Sequence, residues 1–551
     1  MSFSGNLNYK EGNYICSLTT ITDTGNALLG DKIRYNNDGV VTDIIERSYA
    51  HIQGILKIKS KTKFGVNKRG VPIYLFKPYH KKYPNFLVCT KIKSDKNIFC
   101  NISFNKWDKN RRKFFGKLEN VIGKVGVYDD EIQYILNQYH LNYKKWNSRT
   151  NKLLEGDCEI DDSVDIDYKV VSIDPEGSTD IDDAFHCKTV NGNVVEYGVH
   201  IADPLFYLVD KPELLKLIMH RMFTIYTDSG KNDMIPPLYS DNLVSLIQDR
   251  KRRAISVIFK NDGTVSLKRT VVKNLKQFTY EEADKVLKKG RYRNVNDRPI
   301  LYLGKYFGIT DSHKLIEMLM VKTNQYIGNL IVNEFGESAV LRKHKCGNSS
   351  IPDVDSEDLQ KFLNLKQMKR AVYDFSVPGQ NKHYGLNISN YTHFTSPIRR
   401  FFDMIVHNLV YKHLGITERL DIPDTHIVID EINSIESRIK KADRKLNKLR
   451  LIKNLEKMSL SKKITEVGYI TEIHKNSIYV YIPKYNLEEK IYLIPFKFRT
   501  LYKSVIEDDE IVVYNGDQVV CGQYKLYQKI DVTIIPFLNE EVFSRKIRIF
   551  I

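Results

Sequence analysis

The chain has 551 residues, enough for three or four domains with ample core. Its 85 Lys and Arg outnumber its 67 Asp and Glu by 85 − 67 = 18, a balance that favours a polyanionic partner. No apolar run reaches the roughly 18 residues of a membrane span, Met1-Ser-Phe-Ser-Gly does not read as a signal peptide, and the seven cysteines are odd in number with no close pair, so a membrane partner, a zinc site and a disulfide framework are not expected.

Residues 1 to about 160 read as short strands and turns, with alternation in Ile55-Leu-Lys-Ile-Lys and Pro72-Ile-Tyr-Leu-Phe. Gly30-Asp31-Lys-Ile, followed by Gly39-Val-Val-Thr-Asp-Ile-Ile, resembles the end of a cold-shock OB domain with an abbreviated beginning, assigned to 1–47. Gly54 to Asn105, with Trp107, Phe115-Gly116 and Gly123 as a closing segment, resembles a second, assigned to 48–160. Asp130 to Tyr139 carries a short helical pattern. OB folds bind single strands by stacking bases on aromatics in a basic groove. Lys61, Lys63, Lys68 and Arg69, beside Tyr74 and Phe76, are candidates for that surface; the plain alternative is a strand with one apolar face and solvated lysines.

Asp174-Pro-Glu-Gly-Ser-Thr-Asp180-Ile-Asp182-Asp183 follows the apolar pair Val170-Val171. Neighbouring anions repel by about 1 kcal/mol per pair in water and more where water is excluded. Four of them persist in a folded site only if cations neutralise them. Oxygen ligands without Cys or His suit magnesium, with manganese able to substitute. Acidic runs are commonly solvated loops, and the nearby run Asp157 to Asp167 is read as one. A calcium EF-hand is excluded, because the sixth and twelfth positions from Asp174 are Thr179 and Phe185 rather than Gly and Glu. Pro175 and Gly177 make a turn that can bring Asp174 back towards the other three carboxylates.

Further on, Leu315 to Phe335 shows helical spacing with Glu317 and Asn324 interleaved, and Ile432 to Lys457 reads as a long basic helix containing Lys441, Arg444, Lys445, Lys448 and Arg450. A solvated face is the default reading of that helix. Between them lies Tyr391-Thr-His-Phe-Thr-Ser-Pro-Ile-Arg399-Arg400, followed by Phe401-Phe-Asp403 and His407. Pro397 fits a helix start with Ser396 as its cap. A helix N-terminus and an Arg fork both favour phosphate. With the Asp cluster, this reads as a phosphodiesterase site.

Val171-Ser-Ile-Asp174 through Ala184, and Tyr391 through Asp403, resemble the two signatures of the RNase II-like exoribonucleases, the RNB family. Val199-His200-Ile-Ala-Asp203, Met234-Ile235-Pro236 with Ser245-Leu246 and Arg253-Ala254, and Ala339-Val-Leu-Arg342-Lys-His344 resemble further blocks in the family's order. The resemblance covers nearly the whole chain. It implies a multidomain α+β protein: β-barrel OB-fold (cold-shock-like) N-terminal domains, a central mixed α/β RNB catalytic domain at 161–462, and a C-terminal OB-fold domain at 463–551. In that last domain Tyr469, Tyr479, Tyr481 and Tyr492 are candidate stacking residues, half of them expected to face the core.

The implied activity is processive 3′-to-5′ hydrolysis of single-stranded RNA to nucleoside 5′-monophosphates by two metal ions. Asp174, Asp180, Asp182 and Asp183 match the metal carboxylates, with Asp182 and Arg399 as the catalytic pair. Tyr226, Arg399, Arg400 and Asp443 match the RNA-binding set. Thr227-Asp228 departs from the usual sequence after the stacking Tyr, and Asp443 stands where Glu is common. Activity within an RNA-decay complex, or otherwise as a monomer, and a cytoplasmic location are expected. Abundant Lys, Asn, Ile and Tyr (34 Tyr) fit an AT-rich genome, such as that of a large DNA virus. A non-catalytic RNA-binding factor of the same architecture is the competing reading.

Overall fold

A computed structural model of the chain describes residues 3–10, 13–17, 19–48, 51–60, 64–108, 113–147, 150, 152–161, 163–292, 294–347, 352–460, 463–494 and 501–551. The backbone divides into two units, one of Met1–Asn142, Val354–Leu359 and Lys441–Ile551, the other of Tyr143–Asp353 and Gln360–Lys440.

The first unit begins with an open five-stranded sheet of Phe3–Lys10, Asn13–Cys16, Thr19–Thr20, Lys32–Tyr35 and Val41–Glu46. A closed five-stranded barrel follows, built from Ile52–Leu56, Ile73–Pro78, Phe86–Cys89, Ile98–Asp108 and Lys113–Lys124. Its last strand runs parallel to Phe86–Cys89, and that pairing closes the cylinder. Alternate positions point inward, so Leu56, Phe76, Phe86, Val88, Cys100 and Ile102 make one core. Phe76 is wholly buried there and is no stacking residue. Tyr74 packs against the same core, Lys68 and Arg69 are exposed, and Lys61 and Lys63 lie outside the described residues.

The same unit's C-terminal sheet has the order Leu487–Tyr492, Ser477–Ile482, Ile464–His474, Lys529–Pro536, Ile547–Phe550, with a separate three-stranded meander over Tyr502–Lys525. Its core takes in Ile452 and Leu455 from the end of the long helix Thr425–Ser459. Tyr481 is buried, Tyr469 and Tyr479 are half-buried, and Tyr492 is exposed. The basic residues of that helix are not all solvated. Lys445 donates to the Tyr79 hydroxyl at 2.5 Å and to Gln138 Oε1 at 2.7 Å, beneath the rings of Tyr79, Tyr139 and Phe543. Lys448 pairs with Glu489.

The second unit is organised on another closed barrel, of Tyr168–Asp174, Asp183–Val190, Asn193–Ala202, Lys251–Lys260 and Val265–Thr279. Its first and last strands are parallel, from Tyr168↔Val272 to Asp174↔Thr279. A buried polar chain crosses four of its strands. The His186 Nε2–Glu196 Oε1 contact is 3.2 Å, His186 Nδ1–His200 Nε2 2.7 Å, His200 Nδ1–Ser256 Oγ 2.6 Å and Ser256 Oγ–Thr270 Oγ1 2.6 Å. Burial pushes His186 down to about 4 and His200 well below the ordinary imidazole value, so both stay neutral. Gly198 leaves room for this chain, since a Cβ there would stand 2.4 Å from His186 Cε1. Asp157, read as part of a solvated run, instead pairs with Lys211 at 3.0 Å and accepts from the Tyr239 hydroxyl. Among the described residues no helix is long and apolar enough to cross a membrane.

In the first unit Lys546 (0 % exposed) donates to Glu131 Oε1 (2 % exposed) at 2.8 Å and also to the Leu538 carbonyl. Removing one partner strands a buried charge. Lys546→Met is expected to destabilise this unit by about 3 kcal/mol, read as a lowered urea midpoint followed by tryptophan fluorescence and circular dichroism. An unchanged midpoint would show that Glu131 is relieved by water.

Candidate catalytic site

The acidic segment leaves the barrel at Asp174 and re-enters it at Asp183. Ser178 N–H donates to the Pro175 carbonyl at 3.1 Å and Gly177 has φ +78°, which is the turn the sequence implied. The segment is then laced to its surroundings. Ser245 Oγ donates to the Thr179 carbonyl at 2.7 Å and accepts from Ile181 N–H at 2.8 Å. Ala202 N–H donates to the Asp182 carbonyl at 2.9 Å, and Gln277 Nε2 to the Ser178 carbonyl at 3.1 Å. Each bond converts a loop that would solvate its acids into a rigid mount for them.

Asp182 is 3 % exposed. Oδ1 accepts the Ile398 N–H at 2.9 Å and Oδ2 accepts Arg399 Nε at 2.9 Å. Burial pushes its carboxyl up to about 7, with Arg399 and the Ile398 amide opposing and Asp183 and Asp180 adding to the rise. Asp174 and Asp183 are raised too, first by burial and then by repulsion, Asp174 from Asp182 and Asp180 and Asp183 from Asp174. Asp180 accepts the Tyr226 hydroxyl at 2.5 Å and lies 3.4 Å from Lys231 Nζ. The four carboxylates thus belong to one electrostatic cluster.

Whether that cluster suits a cation is decided by its donors. All are hard oxygens, and Asp174 Oδ2 is buried without a hydrogen bond. Among the described residues no three His, Cys, Asp or Glu side chains are gathered closely enough to hold a metal ion as they stand, and Arg399 is the counter-charge on Asp182. Carboxylate oxygens of this kind are the donors that hard divalent ions favour.

The arginine segment differs from its expected form. Residues 396–400 are a turn, in which the Arg399 and Arg400 amides both donate to the Ser396 carbonyl at 3.3 and 3.0 Å, and the helix runs Phe401–His413. The reason lies in Asp403, whose Oδ2 accepts the Ser396 N–H at 2.7 Å and so folds the turn back over the first helical residues. Ser396 Oγ accepts Arg399 Nη2 at 2.9 Å instead of capping. Arg400, at an extended φ of −134°, pairs in backbone with Phe223. Its guanidinium is committed to Asp403 at 2.9 Å and His393 Nδ1 at 3.1 Å. It therefore turns into the protein while Arg399 faces the carboxylates. His407 shares the helix face of Asp403 but donates to the Phe394 carbonyl at 2.9 Å and stays neutral.

The helix Ser312–Phe335 seats this segment. Asn324 Oδ1 accepts the Phe394 N–H at 2.9 Å and its Nδ2 donates to the Tyr391 hydroxyl at 3.2 Å. Gly328 lets the backbone lie against the helix, since a Cβ there would stand 1.8 Å from the Asn390 carbonyl oxygen. Tyr226 lies on the hairpin Ile225–Thr227/Gly230–Asn232 and is 49 % exposed, one ring edge on Asp180 and the rest open. The hairpin is tied to the arginine turn through Thr224 N–H to the Arg399 carbonyl at 3.1 Å. Asp443 lies in the first unit, half-buried on the long helix.

Two residues escaped sequence reasoning. Lys231 contacts Asp180, Asp233 (3.2 Å) and Asp241 (2.5 Å), neutralising the outer rim. Tyr280 feels Asp183 and Asp174 from the helix start after the last barrel strand. Neither sits at a telling spacing, and only the hairpin register Tyr226↔Lys231 brings the lysine in.

Comparison with known proteins follows the same outline. Residues 165–299 and 305–416 match the RNB domain, and 73–140 match the Dis3-like cold-shock domain 2. The chain thus carries an RNB domain, the domain of the RNase II-like exoribonucleases. Among its relatives is the exosome complex exonuclease RRP44 of Mus musculus, 27 % identical over 544 residues that cover 82 % of this chain and 56 % of the relative. The chain thus spans a little over half the length of this relative. Mycoplasma genitalium RNase R, solved with ribose-methylated single-stranded RNA, superposes with a TM-score of 0.75 at 18 % identity, covering 99 % of this chain and 100 % of that one. Yeast Ssd1, a pseudonuclease, superposes with a TM-score of 0.63 at 17 % identity, covering 93 % of this chain and 81 % of the other.

Gly328→Ala is expected to lower the stability of the second unit by about 1–3 kcal/mol and to displace the 390–400 segment. Thermal unfolding reads the first effect, and amide exchange at Phe394 and Ile398 reads the second. Wild-type protection at both amides would show that the helix yields instead.

Proposed function

We propose that the chain degrades single-stranded RNA from its 3′ end, processively, by hydrolysis to nucleoside 5′-monophosphates. The observation that carries this reading is the convergence of Asp174, Asp180, Asp182 and Asp183 with Arg399 at one buried mount. Asp174, Asp180, Asp182 and Asp183 would hold magnesium, with manganese able to substitute. When bound, the metal supplies positive charge for the phosphate oxygens and acidifies the attacking water. Arg399 has a planar fork suited to a phosphate and is held to Asp182 and Ser396 at Nε and Nη2. Arg400 is a positioning residue that braces the turn from behind. Tyr226 presents an exposed ring for the 3′-terminal base, stacking being worth about 1–3 kcal/mol per base. Lys231 offsets part of the negative charge at the rim through Asp180, Asp233 and Asp241.

The name of the mouse relative, exosome complex exonuclease, supports association with an RNA-decay complex inside the cell; action as a monomer is the alternative. The likeness to the Ssd1 pseudonuclease favours a second reading, an RNA-binding protein without turnover.

Incubation of 5′-labelled single-stranded RNA with protein and magnesium separates the two. Mononucleotide release that stops with EDTA is expected from the enzyme, and shifted but intact RNA from the binder. Asp182→Asn should abolish release while RNA affinity stays within about threefold, because the substitution removes one charge and little shape. Substantial release by this variant would remove Asp182 from its role.

Protons compete with the cation for the same oxygens. The Asp182 carboxyl is raised to about 7, so it is protonated below that value and ionised above it. Magnesium affinity, measured by calorimetry on the protein without RNA, should therefore rise between about pH 6 and 8 and level off above. A flat profile would mean that other groups bind the ion.

A further inference from the structure

Among the described residues no carboxylate pairs with the guanidinium of Arg253. Its guanidinium carbon lies 3.9 Å over the ring of Phe206, and its Nε is buried with no hydrogen-bond partner. Among the described residues it forms no ion pair. It lines a cavity of about 220 Å³ with Asp167, Arg269, Thr270 and Val271. Arg269 approaches the same Phe206 ring, its guanidinium carbon 5.5 Å from the centroid. Two like charges therefore flank one ring.

The local acids do not balance them. Asp203 is buried, pairs with Arg269 Nε at 3.2 Å, and also accepts the Tyr411 hydroxyl at 2.7 Å on both oxygens. Its charge is spent on Arg269. Asp167 is exposed at the rim, where Oδ2 accepts the Val271 N–H at 2.8 Å, and it lies within 4 Å of neither guanidinium. One positive charge is left over, with a buried donor unmet at a cost of about 1–3 kcal/mol. Unmet buried donors in native proteins call for a ligand or an explanation.

We propose that Arg253 and Arg269 form a phosphate-binding pocket distinct from the carboxylate cluster. Guanidinium forks match tetrahedral oxyanions, and a phosphate has enough oxygens to engage both at once, whereas a carboxylate fills one fork. Phe206 holds the Arg253 guanidinium against its ring at the wall of the cavity. The phosphate can come from a free nucleotide or from an RNA backbone. A dianionic monoester satisfies two guanidiniums better than a monoanionic diester, so the free nucleotide is the expected source. The pocket stands whether or not the carboxylate cluster hydrolyses RNA.

The test is calorimetry in EDTA with three probes: inorganic phosphate, adenosine 5′-monophosphate, and a short oligoribonucleotide without terminal phosphates. Wild type is compared with Arg253→Met, which keeps an apolar stem on Phe206, and with Arg399→Met. Phosphate and nucleotide binding should fall at least about tenfold in Arg253→Met, the loss of one or two charge-assisted hydrogen bonds, and should persist in Arg399→Met. A loss confined to the oligoribonucleotide in Arg253→Met would support the same pocket with the RNA backbone as its source. Equal binding of all three probes by wild type and Arg253→Met would overturn the proposal. So would losses seen only in Arg399→Met. If Arg253→Met does not fold, Arg253→Lys replaces it; it keeps the charge without the fork, and wild-type affinity in that variant would equally overturn the proposal.

Discussion

Asp182 is gripped at both oxygens, by the Ile398 amide and by Arg399 Nε, each at 2.9 Å. These bonds join segments more than 200 residues apart in sequence and put an arginine where an acidic cluster would otherwise force itself open. Several elements of the second unit serve that junction. The barrel presents Asp174 and Asp183 at adjoining strand ends, Ser245 and Ala202 lace the acidic segment down, and Asn324 with Gly328 seats the arginine turn. Desolvation raises the carboxyls; the same desolvation strengthens their pull on Arg399.

The barrel beneath this junction is unusual in its interior. A chain of His186, His200, Ser256 and Thr270 takes the place of aliphatic side chains, with each member hydrogen-bonded. A satisfied polar network of this kind costs little and fixes geometry more tightly than oil-like packing. It explains why His200 belongs to a recognisable block of sequence without touching the site. Asp203 in the same block is likewise structural, tying Tyr411 and Arg269 together.

The two arginines that follow Pro397 show how a shared motif separates into roles. Both were legible as phosphate ligands from residue type alone. In the fold, Asp403 claims Arg400 and the Ser396 amide together, which bends the chain into a turn and delays the helix to Phe401. Arg399 is left pointing the other way. The basic face of the long helix divides similarly, since Lys445 is drawn under three aromatic rings while its neighbours Arg444 and Asn447 remain exposed.

Local patterns in the sequence determined most of the elements and the place of the acidic and arginine segments. The alternation around Ile73 and Ser477 marked strands, whereas that of Ile55 to Lys59 overran a strand ending at Leu56; the apolar spacing of 315–335 marked a helix, and Pro175-Glu-Gly177 among the aspartates marked a turn. These follow from periods of two and 3.6 residues and from like-charge repulsion, all properties of short segments. Tertiary structure alone decided which side chains meet. The burial of Phe76, the approach of Lys231 to Asp180, the capture of Arg400 by Asp403 and His393, and the approach of Arg253 to Phe206 depend on pairings between strands and helices far apart in the chain. Spacing carries no record of those pairings, because their energy comes from packing and desolvation that exist only once the barrel has closed.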